Sequence, residues 1–249
     1  KDDRRNLDLL AATFKDTHNI ETNNIDIDDD ILADKQSAIS LMRGMGGHYE
    51  IFPEHIRYDR DVLIASFQSS THSLKHTSDA LRRDREIAKI AMQVNGNALK
   101  MLPAFQDDED IVFSHELGFN HASERIKNDP KLVKKAIRMQ PYNIMYASDD
   151  RKKDPEIVKF AIEQDPKNIN LVHHDYLADE DMVLLAIRHG LEISRYDDML
   201  FSARNKDNKA TAEHVITEEF MLKAIQANPL CMSTSNYFFQ NNKTMIKKA

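Results

Sequence analysis

The sequence predicts an all-α protein, an α-solenoid of helix-turn-helix repeats about 25 residues long, stacked like TPR or ankyrin units but without strands. Three observations predict it. A capping residue followed by apolar residues three, four, seven and eight positions on returns nine times along the 249 residues. The composition suits helices, with Leu, Ile, Ala, Lys, Glu and Asp abundant, only 6 Gly and 7 Pro, and aromatics at 7%. A Gly or Pro stands twelve positions after many of the capping residues, ending each first helix after roughly ten residues.

The anchors fall at Asp34, Asp59, Asp84, Asp108, Asp129, Asp154, Asp179, Thr217 and Asn242, at intervals of 25, 25, 24, 21, 25, 25, 38 and 25. All are residues whose side chains accept a hydrogen bond from the free amides of a helix's first turn. Pro130 and Pro155 then take the first helical position, where the missing amide costs nothing, and Glu86, Glu156 and Asp181 face the positive end of the helix dipole. Gly46, Gly96, Pro141, Pro166 and Pro229 close the first helix of their copies. Beyond them, Leu99 and Leu102, Ile144 and Ala147, and Ile169 and Val172 predict a second, shorter helix in each copy. Helices under ~12–15 residues are marginal alone, so each pair must stack on its neighbours.

Two segments carry a family resemblance. Asn97-Ala98-Leu99-Lys100-Met101-Leu102 precedes Asp108-Glu109-Asp110-Ile111-Val112, and Asn143-Ile144-Met145-Tyr146-Ala147-Ser148 precedes Asp154-Pro155-Glu156-Ile157-Val158. Over about residues 59 to 187 the chain resembles the tandem family known as domain of unknown function 4116. The resemblance implies helical repeats. Because that family recurs in bacteria living inside host cells, it also implies an effector or effector regulator, acting in its own cytoplasm or in a host cytosol. It implies no catalytic residue.

The pattern defines four regions: an N-terminal helical cap with an acidic turn over 1–33, a repeat array over 34–190, an insertion over 191–216, and C-terminal repeats over 217–249, the last of them incomplete. In the cap, Leu7, Leu10, Ala11 and Phe14 share one helical face. Asp26, Asp28, Asp29 and Asp30 follow, but a calcium loop counted from Asp26 would need Gly where Ile31 stands and Glu where Ser37 stands. The copy after Asp108 is short and places His115 where others place Ala, so it is expected to be distorted. The interval after Asp179 holds 13 residues beyond the usual 25, around the polar run Arg204 to Lys209, and reads as a loop.

Chemistry is sparse. His115, Glu116 and His121 lack the four-residue His spacing of a zinc-protease helix, and His173, His174 and Asp175 fall in a connector, so no metal or other cofactor is expected. There is no phosphate loop and no nucleophile elbow, and Cys231 sits in a core slot, so no catalytic residue is assigned. A lone cysteine fits a reducing cytosol, and no window of eighteen apolar residues marks a membrane span. A net charge of -7 argues against nucleic acid.

The solvent face of the first helices is mostly basic. Arg85, Lys89, Lys134, Arg138, Lys159 and Arg188 occupy equivalent outer positions, with Tyr142, Tyr146, Tyr176 and Tyr196 beside them. Stacked, this row would steer and anchor another protein with an acidic surface. The expected function is therefore non-catalytic protein binding, with inhibition or regulation of the partner as its consequence. The alternative is the substrate-positioning region of a larger enzyme whose catalytic domain lies elsewhere.

Overall fold

In the computed structural model the described residues are 29–45, 49–193 and 217–232. The N-terminal face of Leu7 to Phe14, the acids Asp26 and Asp28, the polar run Arg204 to Lys209, Tyr196 and the half copy after Asn242 lie outside them. All regular structure among the described residues is α or 3₁₀ helix, with no strand. No helix among them is long and apolar enough to cross a membrane. The chain divides into two compact units, the first running to Ser123 and the second starting at Glu124.

In the first unit the helices are α1 (Asp29–Ala33), α2 (Lys35–Met45), α3 (Glu54–Arg57), α4 (Arg60–Ser66), α5 (Asp79–Arg82), α6 (Arg85–Val94) and α7 (Glu109–Val112). In the second they are α8 (Glu124–Asn128), α9 (Pro130–Met139), α10 (Asp149–Lys152), α11 (Pro155–Gln164), α12 (Glu180–Arg188) and α13 (Glu218–Ala227). The longer helices of successive copies pack on one another, α2 on α4, α4 on α6 and α6 on α7 in one unit, α9 on α11, α11 on α12 and α12 on α13 in the other.

Eight anchors lie among the described residues, and every one accepts a hydrogen bond from a first-turn amide. Asp34 takes the Ser37 amide at 2.8 Å, and Asp59, Asp84, Asp108 and Asp129 each take two. Asp154, Asp179 and Thr217 take one each. The apolar positions behind the anchors are the core: Ile87, Ala88, Ala91 and Met92 on α6, and Ile157, Val158, Ala161 and Ile162 on α11, are fully buried. Burial at roughly 25 cal/mol per Å² of apolar surface, summed over such stripes, supplies what ten-residue helices lack alone.

The expected second α-helix is instead a 3₁₀ segment, at Gly96–Met101, Pro141–Tyr146, Pro166–Asn170 and Pro229–Met232. The reason is its spacing. Leu99 and Leu102, or Ile144 and Ala147, are three apart, which is one turn at 3.0 residues per turn, and all four are buried. A single extended residue does the joining: Asn95, Asp165 and Asn228 end the long helix through their own amides and cap the 3₁₀ segment through their side chains. A further one-turn α-helix, as in α5, α8 and α10, precedes the next anchor and has no apolar pattern from which to predict it.

Buried side-chain amides tie these parts together. Asn143 and Asn168, each 2% exposed, donate to the Ala136 and Ala161 carbonyls at 3.0 and 2.9 Å. Asn168 also donates to the Pro141 carbonyl of the preceding copy at 3.0 Å. Cys231 holds the equivalent position, where its buried thiol donates to the Ala224 carbonyl at 3.6 Å and burial pushes its pKa up. The residue thus occupies a core position.

Two glycines mark where the repeat departs from itself. In the short copy α7 stops after Val112, and a Cβ on Gly118 would lie 2.1 Å from the Val112 carbonyl oxygen, so only glycine permits the chain's return. His115 is thereby released from a helical position and its Nδ1 accepts the Leu117 amide at 3.1 Å. At the end of α12, Gly190 has φ of +106°, and Gly190 and Leu191 donate to the Ile187 and Ala186 carbonyls at 3.0 and 2.9 Å. That pair of bonds is the Schellman closure, and it turns the chain where the interval lengthens.

Two outcomes follow for stability. Gly118→Ala should lower unfolding free energy by about 1–3 kcal/mol or more through backbone overlap, read from denaturant midpoints. Acid should unfold the protein through its caps. The Ser37 amide and hydroxyl hold Asp34 below the ordinary carboxylate value, and at Asp59 burial, which raises the pKa, is outweighed by the Lys35 ammonium and the Val62 and Asp61 amides. Groups lowered in the fold stabilise it above the unfolded carboxylate pKa of ~4 and lose that contribution as pH falls through their folded values. Helical circular dichroism should therefore decline below about pH 4.

Candidate binding surfaces

In the first unit the basic residue after each of the first three anchors reaches forward to the cap of the next copy. Lys35 sits 2.9 Å from Asp59 and 2.7 Å from Asp61, Arg60 3.7 Å from Asp84, and Arg85 3.1 Å from Asp108 and 3.2 Å from Asp110. Asp61 and Asp59 raise the Lys35 pKa, and Asp108 raises that of Arg85. Arg85 is thus committed to the array itself, and Lys89 pairs with Glu86 at 3.0 Å. In the second unit Pro130 and Pro155 occupy the equivalent position, so no such ladder forms there. Instead Lys223 of α13 bridges Glu180 at 2.8 Å and Glu219 at 3.0 Å, which lift it to about 12.

Of the other row residues, all on the second unit, Arg138, Lys159 and Arg188 are exposed and Lys134 is half-buried, and two gather around one ring. The Arg138 guanidinium lies 5.0 Å and the Lys134 ammonium 5.7 Å from the centre of Phe160. Cations so placed are attracted by the ring quadrupole and keep their charge toward solvent. Tyr142 and Tyr146 meet edge to face at 5.9 Å, and Tyr142 is 45% exposed. Met139 and Met145, flanking them in sequence, are also exposed. Lys159 and Arg188 face solvent on α11 and α12. Tyr176 is tethered, its hydroxyl donating to the Lys153 carbonyl at 2.7 Å.

A cleft in the first unit has no counterpart in the sequence-based reading. Leu74, Met101, Pro103 and Ala104 give it apolar lining, and Lys75, Arg82, Arg83 and Lys100 give it four cations against the single acid Asp79, in a volume of about 520 Å³. Arg82 is fixed by an ion pair with Asp79 and by the Leu74 and Lys75 carbonyls at 3.4 and 3.5 Å. The Arg82 guanidinium holds Asp79 below the ordinary carboxylate value. Lys75, Arg83 and Lys100 are exposed and make no ion pair among the described residues. Arg82 comes from the one-turn helix α5, which apolar spacing does not place, Arg83 from its C-cap, and Lys75 and Lys100 from 3₁₀ segments.

The remaining candidates separate. His115 and His121 share no helix, and His121 Nε2 lies 3.2 Å from the Asn97 side-chain oxygen. His173, His174 and Asp175 lie together, with ligand-capable atoms all within 4.8 Å of one another.

The fold and these surfaces define an all-α protein of capped helical repeats. Residues 59–106 and 109–152 each match the model of the Domain of unknown function (DUF4116), two tandem matches consistent with repeats of that domain. The second match spans the boundary between the units, and the further anchors at Asp154, Asp179 and Thr217 continue the same capping beyond it. No curated protein and no solved structure matches the chain.

The two kinds of cation should separate by experiment. Arg85→Ala should lower the melting temperature and leave partner capture unchanged, whereas Lys134→Ala with Arg138→Ala should leave the melting temperature nearly unchanged and weaken capture.

Proposed function

We propose that the chain is a non-catalytic protein-binding module, an α-solenoid whose TPR-like stacked repeats hold an acidic partner and regulate it. The cleft carries this reading. A concave site of about 520 Å³ with apolar walls and four cations, on a chain of net charge -7, favours acidic side chains set among apolar ones. The cation and aromatic face around Phe160 supports it, because exposed Tyr, Met and Arg are the residues enriched where partners bury most free energy. The rigid caps favour it as well, since preordered side chains lose less entropy on binding.

The family resemblance fits an effector or effector regulator, and the buried thiol of Cys231 fits a reducing cytosol, the cell's own or a host's.

The test is affinity capture from native and host-type extracts with wild type and with Arg83→Glu plus Lys100→Glu. Wild type should retain one protein near stoichiometry, and the reversed cleft should bind it at least about 10-fold more weakly at low salt, with the difference shrinking as salt rises. Equal retention by a folded double variant would overturn the cleft's role.

A further inference from the structure

His173, His174 and Asp175 stand where the repeat ordinarily places a capping serine and acids. Ser78-Asp79 and Ser148-Asp149-Asp150 open their one-turn helices with a serine hydroxyl on the third amide. The Asp154 copy has His173 there, and its Nδ1 reaches the Asp175 amide only at 3.5 Å. The cap that His173 provides is therefore a long one.

The Asp175 carboxylate reaches both rings, with Oδ2 3.1 Å from His173 Nδ1 and Oδ1 3.3 Å from His174 Nε2. The ring centres are 4.2 Å apart and tilted by 34°. Around a zinc-sized ion with bonds of ~2.0–2.1 Å, tetrahedral ligand atoms lie roughly 3.3–3.4 Å from one another. One ligand atom from each of the three residues lies within 4.8 Å of the others, so side-chain rotation alone brings them to that spacing. The backbone is already fixed: the His173 amide donates to the Lys152 carbonyl at 3.1 Å, the Tyr176 amide to the His173 carbonyl at 3.1 Å, and the Tyr176 hydroxyl to Lys153. Leu177 anchors the turn in the core.

We propose that His173, His174 and Asp175 form a site for a divalent first-row transition-metal ion. Two imidazoles and one carboxylate suit zinc, nickel or copper(II), while calcium and magnesium favour all-oxygen shells. Two neutral imidazoles and one carboxylate leave a bound divalent ion with net positive charge and room for another donor. The ion would add to the cationic character of the second unit, and its open position would accept a partner's carboxylate or imidazole. The proposal does not depend on the protein-binding reading, because metal uptake is measured with no partner present.

Equilibrium dialysis of the intact chain against zinc, with calcium as comparison, tests it, alongside His174→Asn, Asp175→Asn and the surface control His55→Asn. Wild type and His55→Asn should take up a single equivalent of zinc and no calcium. His174→Asn and Asp175→Asn should weaken zinc binding by at least about 10-fold with unchanged circular dichroism. Cobalt(II) bound to wild type should give a visible absorption band that zinc displaces, a readout free of any folding defect in the variants. No zinc uptake by wild type, or equal uptake by the folded variants, would overturn the site.

Discussion

The structure depends on closing both ends of helices too short to stand alone. Those that follow the eight described anchors begin at a carboxylate or hydroxyl that accepts first-turn amides, and most of the ten-residue ones end at a single extended residue that caps the next segment. The anchor carboxylates of the first unit do a second task. Asp59, Asp84 and Asp108 also receive the cation that follows the preceding cap, so the contact closing one helix ties it to its neighbour. Local and tertiary order are set by the two oxygens of one carboxylate, Oδ1 accepting the first-turn amides and Oδ2 facing the cation. In the second unit proline takes the cation's place, and buried asparagine takes over the tie: Asn168 spans from the Ala161 carbonyl in its own copy to the Pro141 carbonyl in the one before. The two units meet one requirement with different chemistry.

Much of this was legible in the sequence. Capping residues and their apolar followers are local signals with a fixed period, and Asp34 through Thr217 all cap as the spacing predicts. The distortion after Asp108 was legible for the same reason, since His115 interrupts the buried stripe. The second helix was misjudged because apolar residues three apart fit a 3₁₀ turn and an α-helix equally, and a window of six residues cannot separate them. The one-turn helices carry no apolar signal, so Arg82 and Arg83 of the cleft, which one of them positions, are not legible in the spacing. The outer row illustrates the opposite difficulty. Arg85 and Arg138 fall on the same predicted face, one and nine residues after their anchors, yet one is paired with Asp108 in the next copy and the other lies over Phe160. Periodicity reports which face a residue occupies and is silent on which acid comes within reach.

A scaffold of this kind leaves its outer surface free to vary. The buried stripe, the caps and the asparagine ties fix the backbone, so substitutions at exposed positions can assemble sites without disturbing the fold. The cationic cleft, the Phe160 face and the histidine pair all arise on the 3₁₀ and one-turn segments or on the outer side of the long helices. They are departures from the repeat, and function is best sought in departures of this sort.

The most direct measurement of the central claim is the circular dichroism of one isolated repeat, a peptide spanning residues 129–153, compared with the intact chain. Stacking and shared ties, if they make the helices, should leave the peptide largely unstructured in water while the intact chain is strongly helical. A peptide as helical as the same residues are in the array would contradict the account, because caps and propensity would then suffice without neighbours.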